Sequence, residues 1–185
     1  MSNDYFTNRQ DRYVVFKDCK ELCDYFDELV QTISTFSFQL SPEDETSMRQ
    51  DFPFHPYESN KTDYNNAAGK LISNFMAKHA ERNSFTPDKI IELMDSGGVE
   101  DTLVFPLLQM REMGVHQDEE VTYNMISSAP ACTNLLLATA YFNLTDRYWD
   151  AVVANACENR LVMAHPKAMG FYQAAGMAGL LSKFC

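Results

Sequence analysis

Positive charge is scarce in this sequence: 15 lysines and arginines stand against 26 aspartates and glutamates over 185 residues, a formal net charge of −11. A nucleic-acid surface needs clustered Lys and Arg to displace counterions, so this balance excludes nucleic acid as a partner. It also gives little electrostatic help at an anionic membrane surface, and any membrane contact is expected to be peripheral. Long apolar runs are lacking as well. The longest, Leu135 to Phe142, falls far short of the roughly 18 residues of a spanning helix and reads as a buried strand. Cysteine is sparse and unpaired in pattern: Cys19, Cys23, Cys132, Cys157 and Cys185 form an odd set without C-x-x-C spacing. Two lone thiols on one helix face do not make a zinc site, so the cysteines are expected to be reduced, as in a reducing compartment. His55, His79 and His116 have no neighbours at metal-ligand spacing and are expected in loops or at the surface; no metal and no cofactor is expected. The start carries no Arg-rich amphipathic or secretory leader, so the sequons Asn60-Lys61-Thr62 and Asn143-Leu144-Thr145 carry no weight.

What the sequence does contain is the apolar and charged content of a globular chain, 45% and 22%, and enough length for one ordinary domain. Arg12 to Lys17 is β-branched and aromatic enough for a strand. Asp18 is placed to cap a helix whose apolar stripe is Leu22, Phe26, Leu29, Val30 and Ile33. Ser41 to Asn60, with three prolines, reads as a loop with little regular structure. Tyr64 to Arg82 returns to helical spacing through Ala67, Ala68, Leu71, Ile72, Phe75 and Met76. Residues 83–100 read as a connector around a short helix. Beyond it the pattern alternates as α/β chains do: strands at Thr102–Gln109, Asn134–Tyr141 and Arg160–Ala164, with helices at Asp118–Ser128 and Asp146–Cys157. The near-continuous apolar strands suit a sheet covered on both faces by helices.

Several runs, in order, carry a resemblance. Asn3-Asp4-Tyr5-Phe6-Thr7-Asn8-Arg9-Gln10-Asp11-Arg12-Tyr13 comes first, followed by His55-Pro56-Tyr57 and Val104-Phe105-Pro106-Leu107-Leu108-Gln109-Met110. Ala138-Thr139-Ala140-Tyr141-Phe142-Asn143-Leu144-Thr145 is next, and then Ala164-His165-Pro166 with Gly170-Phe171 and Ala175-Gly176-Met177-Ala178-Gly179. Together they resemble the eukaryotic mitochondrial phosphatidylglycerophosphate synthases of the phospholipase D superfamily, and the resemblance covers essentially the whole chain. Its implied fold is α/β, phospholipase D-like, with incomplete halves of a two-half α/β/α sandwich. Residues 1–85 would close the first half, 86–100 connect, and 101–185 open the second.

The resemblance also implies a reaction. In the superfamily, two His-x-Lys-x-x-x-x-Asp motifs transfer a phosphatidyl group without metal: one histidine attacks phosphorus, the other protonates the leaving group, and lysines steady the charge. The family's substrates are CDP-diacylglycerol and glycerol 3-phosphate, and its address is the mitochondrion. Neither motif occurs among these 185 residues. His165-Pro166-Lys167 supplies the first half of one, but Tyr172 stands where the Asp is required; a strand-to-loop corner is expected there. The run is therefore expected to lie between the two motifs of a longer parent, to hold no catalytic residue and to be inactive alone. The alternatives are a non-catalytic fragment that pairs with the full-length enzyme and regulates it, or a superfamily enzyme with another acceptor.

Four residues remain as site candidates. Asp11 stands at about the offset from which the superfamily's acidic residues hydrogen-bond a catalytic histidine and fix its tautomer; equally, it pairs with Arg9 or Arg12 at a strand start. Asn8 and Arg9 suit a phosphate pocket, since guanidinium binds phosphate through paired charge-assisted bonds; an exposed turn is the duller reading. Asn143 follows a strand end, where α/β sheets gather ligand-binding residues; the duller reading is a connector in which Thr145 caps the next helix.

Overall fold

The computed structural model describes residues 13–82, 102–131, 133–139 and 143–168, with the single positions 88, 91, 92, 95, 172 and 175. The chain is α/β, a mixture of helices and small two-stranded sheets. It divides into two compact units, Met1–Leu103 with Glu112–Val115, and Val104–Arg111 with His116–Cys185. Among the described residues no helix is long and apolar enough to cross a membrane.

The first unit is built on two helices. Helix α1 spans Lys20–Thr35, and a short hairpin follows, β1 at Phe38–Leu40 and β2 at Thr46–Met48, antiparallel with Phe38 opposite Met48. Helix α2 spans Lys61–Arg82 and starts cleanly because Asn60 Oδ1 accepts the Thr62 and Asp63 amides at 2.8 and 3.3 Å. Ala68 and Ile72 are fully buried and Phe75 nearly so, as the helical spacing predicts. From α1, Tyr25 and Leu29 meet this stripe, with the Tyr25 ring 5.0 Å from Phe75. Burying each such side chain stabilises the pair by about 1.5–3 kcal/mol. Phe36 ends α1 inside the core against Phe52, and its carbonyl accepts the Tyr64 hydroxyl at 2.6 Å. Residues 88, 91, 92 and 95 are helical, within the expected connector helix.

Several expectations for this unit fail. Tyr13–Lys17 is exposed coil, not strand, because no described strand pairs with it; Arg12 lies outside the described residues. Asp18 does not cap α1: it turns the chain at φ 57°, and Cys19 stands at the cap without a side-chain bond. The buried stripe of α1 is rotated from the expected one, so Tyr25 is inside while Phe26 and Val30 are 47% and 62% exposed. The Ser41–Asn60 loop hides β2, whose hairpin is closed by Ser41 Oγ accepting the Glu43 and Glu45 amides and by Asp44 at φ 61°. His79 is no surface histidine. It sits between Tyr25 and Phe75 with Nε2 3.1 Å from Glu28, and Lys78 also pairs with that carboxylate. His55 is half-buried in its loop, with Nδ1 accepting the Tyr57 and Glu58 amides.

The second unit carries the parallel pairing expected of an α/β chain. Strand β5 (Asn134–Thr139), helix α4 (Asp146–Ala154) and strand β6 (Glu158–Met163) form a β-α-β unit in which β5 and β6 run parallel, Asn134 opposite Glu158 and Thr139 opposite Met163. Helix α3 (Gln117–Ser127) packs on α4. Ile126, Ala151 and Val152 are the buried centre, with Tyr123, Leu135, Leu137, Leu144 and Tyr148 around them. Along the chain, two-residue strands β3 (Gln109–Met110) and β4 (Val115–His116) flank a 3-10 turn at Arg111–Met113; of this stretch, Glu112–Val115 belongs to the first unit.

Two readings of this unit are corrected. Residues 102–108 are not strand; only Gln109 of the expected Thr102–Gln109 strand is extended in a ladder. Nor is β5 buried on both faces: its residues alternate, with Leu135 and Leu137 half-buried against α4 and Leu136 70% exposed. Among the described residues only one face of the two-stranded sheet is covered, and Val162 on β6 is likewise 65% exposed. Residues 140–142 of the expected strand lie outside the described residues.

Candidate functional site

Parallel strands deliver their loops to one edge, and the crevice beyond the carboxyl ends is where α/β sheets hold ligands. Because Thr139 pairs with Met163, the segments after β5 and β6 leave from the same edge. The first carries Asn143, Leu144 and Thr145 into α4. The second carries Ala164 and His165 into a 3-10 turn at Pro166–Ala168. Asn143 is exposed, four residues past the end of β5. Thr145 holds the cap position of α4 in extended conformation, φ −63° and ψ 154°, but its side chain makes no capping bond. Its carbonyl accepts the Trp149 amide at 2.9 Å.

His165 serves the local backbone. Its Nδ1 accepts the Lys167 amide at 3.1 Å and its carbonyl accepts the Ala168 amide at 2.7 Å. This is the expected corner after a strand, and the imidazole is exposed. Asp11, Asn8 and Arg9 lie outside the described residues. No group of three or more His, Cys, Asp or Glu among the described residues is arranged to hold a metal.

An ionic hub beside this edge escaped sequence reasoning. Arg147, in the first turn of α4, holds Glu120 with two hydrogen bonds, Nη1 to Oε1 at 2.7 Å and Nη2 to Oε2 at 2.8 Å. Its Nη1 also reaches Glu119 Oε1 at 3.2 Å, and the guanidinium lies 4.2 Å from the Tyr123 ring centre. Glu119 in turn takes Gln109 Nε2 at 3.3 Å and lies 3.2 Å from His116 Nδ1. Its amide donates to Gln109 Oε1 at 3.2 Å. One residue earlier the Asp118 amide donates to the Leu108 carbonyl, and the Leu108 amide donates to Gln117 Oε1. The hydrogen bond with His116, then those from Arg147 and Gln109, hold the Glu119 carboxyl below its ordinary range. Arg147 does the same for Glu120. The two carboxylates, Glu120 first, push the guanidinium pKa up. The legible signal was three acidic residues in the first turn of α3, Asp118, Glu119 and Glu120, and a cation in the first turn of α4; that the two turns meet is a tertiary fact.

No protein-family model and no solved structure matches the chain. Curated proteins do. Over 193 residues, 98% of this chain and 34% of theirs, it is 34% identical to the mitochondrial CDP-diacylglycerol–glycerol-3-phosphate 3-phosphatidyltransferases of Bos taurus and Homo sapiens. It is 27% identical to a probable enzyme of the same name from Dictyostelium discoideum, over 96% of this chain and 32% of that one. The chain thus spans about a third of the length of the curated relatives it matches. By its sequence it is similar, over nearly its whole length, to about a third of the length of the CDP-diacylglycerol–glycerol-3-phosphate 3-phosphatidyltransferases.

Proposed function

We propose that this chain is the inter-motif segment of an enzyme that moves a phosphatidyl group from CDP-diacylglycerol to glycerol 3-phosphate, at a mitochondrial address. The observation that carries this reading is the 34% identity sustained over 98% of the chain. The parallel β5-α4-β6 unit, with Asn143 and His165 leaving from one edge, supports a phospholipase D-like arrangement. In that arrangement residues 1–85 close one half and 101–185 open the other. A histidine nitrogen from one motif attacks phosphorus, the bond to the CMP oxygen breaks, and the second histidine protonates the departing CMP. The glycerol 3-phosphate hydroxyl then displaces the histidine from phosphorus. Asn143 lines the substrate edge. Asp11 steadies a catalytic histidine, and Asn8 with Arg9 meets phosphate. This chain supplies walls and positioning, while the attacking groups belong to sequence that it does not contain.

The test is CMP release from CDP-diacylglycerol in the presence of glycerol 3-phosphate. The 185-residue protein releases none, and a polypeptide that adds both His-x-Lys-x-x-x-x-Asp motifs does, until either histidine is replaced. Release by the 185-residue protein alone overturns the reading. So does an extended polypeptide that binds its substrates yet transfers nothing.

A further inference from the structure

We propose that Arg147 is a positioning residue for Asn143, and that the Glu119–Glu120–Arg147 hub sets where the loop after β5 stands at the substrate edge. That the edge meets substrate rests on the function proposed above; the mechanical linkage does not. A loop entering a helix is usually fixed by a capping side chain, and here Thr145 provides none. Among the described residues, two other anchors hold residues 143–147. Leu144 inserts into the cluster around Ile126, Ala151 and Val152, which fixes depth but, being non-directional, leaves orientation free. Direction comes from Arg147, whose paired bonds to Glu120, bond to Glu119 and ring contact with Tyr123 fix the guanidinium plane against α3. Asn143 itself is exposed four residues upstream.

The same hub reaches a second segment. Glu119 grips Gln109 through both its carboxylate and its amide, and the neighbouring Gln117 and Asp118 hold both backbone groups of Leu108. One carboxylate therefore ties the end of Val104–Met110 to the start of α4. The first is one of the runs that carry the resemblance, and the second follows directly on another, Ala138–Thr145.

Hydrogen exchange on the 185-residue protein and steady-state kinetics in a polypeptide carrying the catalytic motifs test this separately. In Arg147→Met, exchange of the amides of the first bonded turn of α4, from Trp149, which meets the Thr145 carbonyl, to Val152, accelerates about tenfold while those of β5 and β6 keep their protection, as local release without global unfolding requires. Arg160→Met, which breaks an exposed pair with Glu158, leaves this turn unchanged. In the kinetic arm, Asn143→Ala and Arg147→Met each raise KM about tenfold, and the double variant rises no further, because the two act through one contact. Unchanged exchange at 149–152, or KM effects that multiply to about a hundredfold, overturns the proposal. Should Arg147→Met unfold, Glu120→Gln removes half of the paired grip and follows the same pattern more weakly; no response there is equally fatal. Failure of the extended wild-type polypeptide to release CMP refutes the proposed function, and exchange still decides the linkage.

Discussion

Gly69 sits in the middle of α2, where a helix ordinarily prefers alanine by about 1 kcal/mol. Propensity alone therefore predicts that Gly69→Ala stabilises the protein. The structure reverses the sign. A Cβ built on Gly69 meets the Met113 carbonyl oxygen at 2.2 Å, with Met113 C at 3.1 Å, so the helix touches the Glu112–Val115 segment of the first unit at this point. The obstruction is backbone, which no rotamer change relieves, and it must retreat by about 1 Å to restore an ordinary contact. Overpacking that forces backbone shifts costs about 1–3 kcal/mol. An overlap this deep with backbone falls in the upper part of that range, about 2–3 kcal/mol, so after the propensity gain is subtracted the variant is destabilised by about 1–2 kcal/mol. Near the transition this lowers Tm by about 4–16 °C for a unit of this size. Thermal and urea unfolding followed by far-ultraviolet circular dichroism measure it, with Ala77→Gly as the calibrating control. Ala77 is exposed on the same helix and carries propensity without contact, so its variant loses about 1 kcal/mol. If Gly69→Ala is as stable as wild type or more so, the contact with Met113 does not exist in solution and the reasoning fails.

Further outcomes follow from the same coordinates. Ile72 is fully buried between α1 and α2, so Ile72→Ala costs about 2–5 kcal/mol in urea unfolding; a loss below 1 kcal/mol means that the helix pair is not the core of the first unit. In the second unit the folded pKa values of Glu119 and Glu120 are depressed from the usual 4.5. Their contribution is therefore fully present above that value and is lost as pH falls through the lowered folded pKa. Trp149, the one tryptophan, lies in α4, so its fluorescence reports an acid transition that becomes shallower in Glu120→Gln; an unchanged profile rejects the assignment.

How far the residues alone reached can be read element by element. Helices α1 to α4 were legible because apolar residues recur at helical spacing whatever surrounds them. Strands β5 and β6 were legible as β-branched and leucine-rich runs, and the alternation of strand and helix pointed to their parallel pairing. The face of α1 was misjudged, since Leu22, Phe26 and Val30 compete with Tyr25 for one stripe. Which of them is buried is decided by Phe75 and His79 from a helix some 50 residues away. The exposed Tyr13–Phe16 and the outer face of β5 show the same dependence: a strand-like sequence becomes a covered strand only where another element lies beside it.

By itself, then, the sequence determined the resemblance to the transferases, the α/β class and the presence of helices α1 to α4, because these depend on local periodicity and on the order of a few short runs. Only the tertiary structure decided that Glu119 and Glu120 meet Arg147 across 27 or 28 residues of chain, that His79 is drawn into the core, and that Gly69 lies under a carbonyl. Ionic and steric contacts between elements depend on where each helix is set down. That position is the outcome of packing the whole unit, and no window of neighbouring residues contains it.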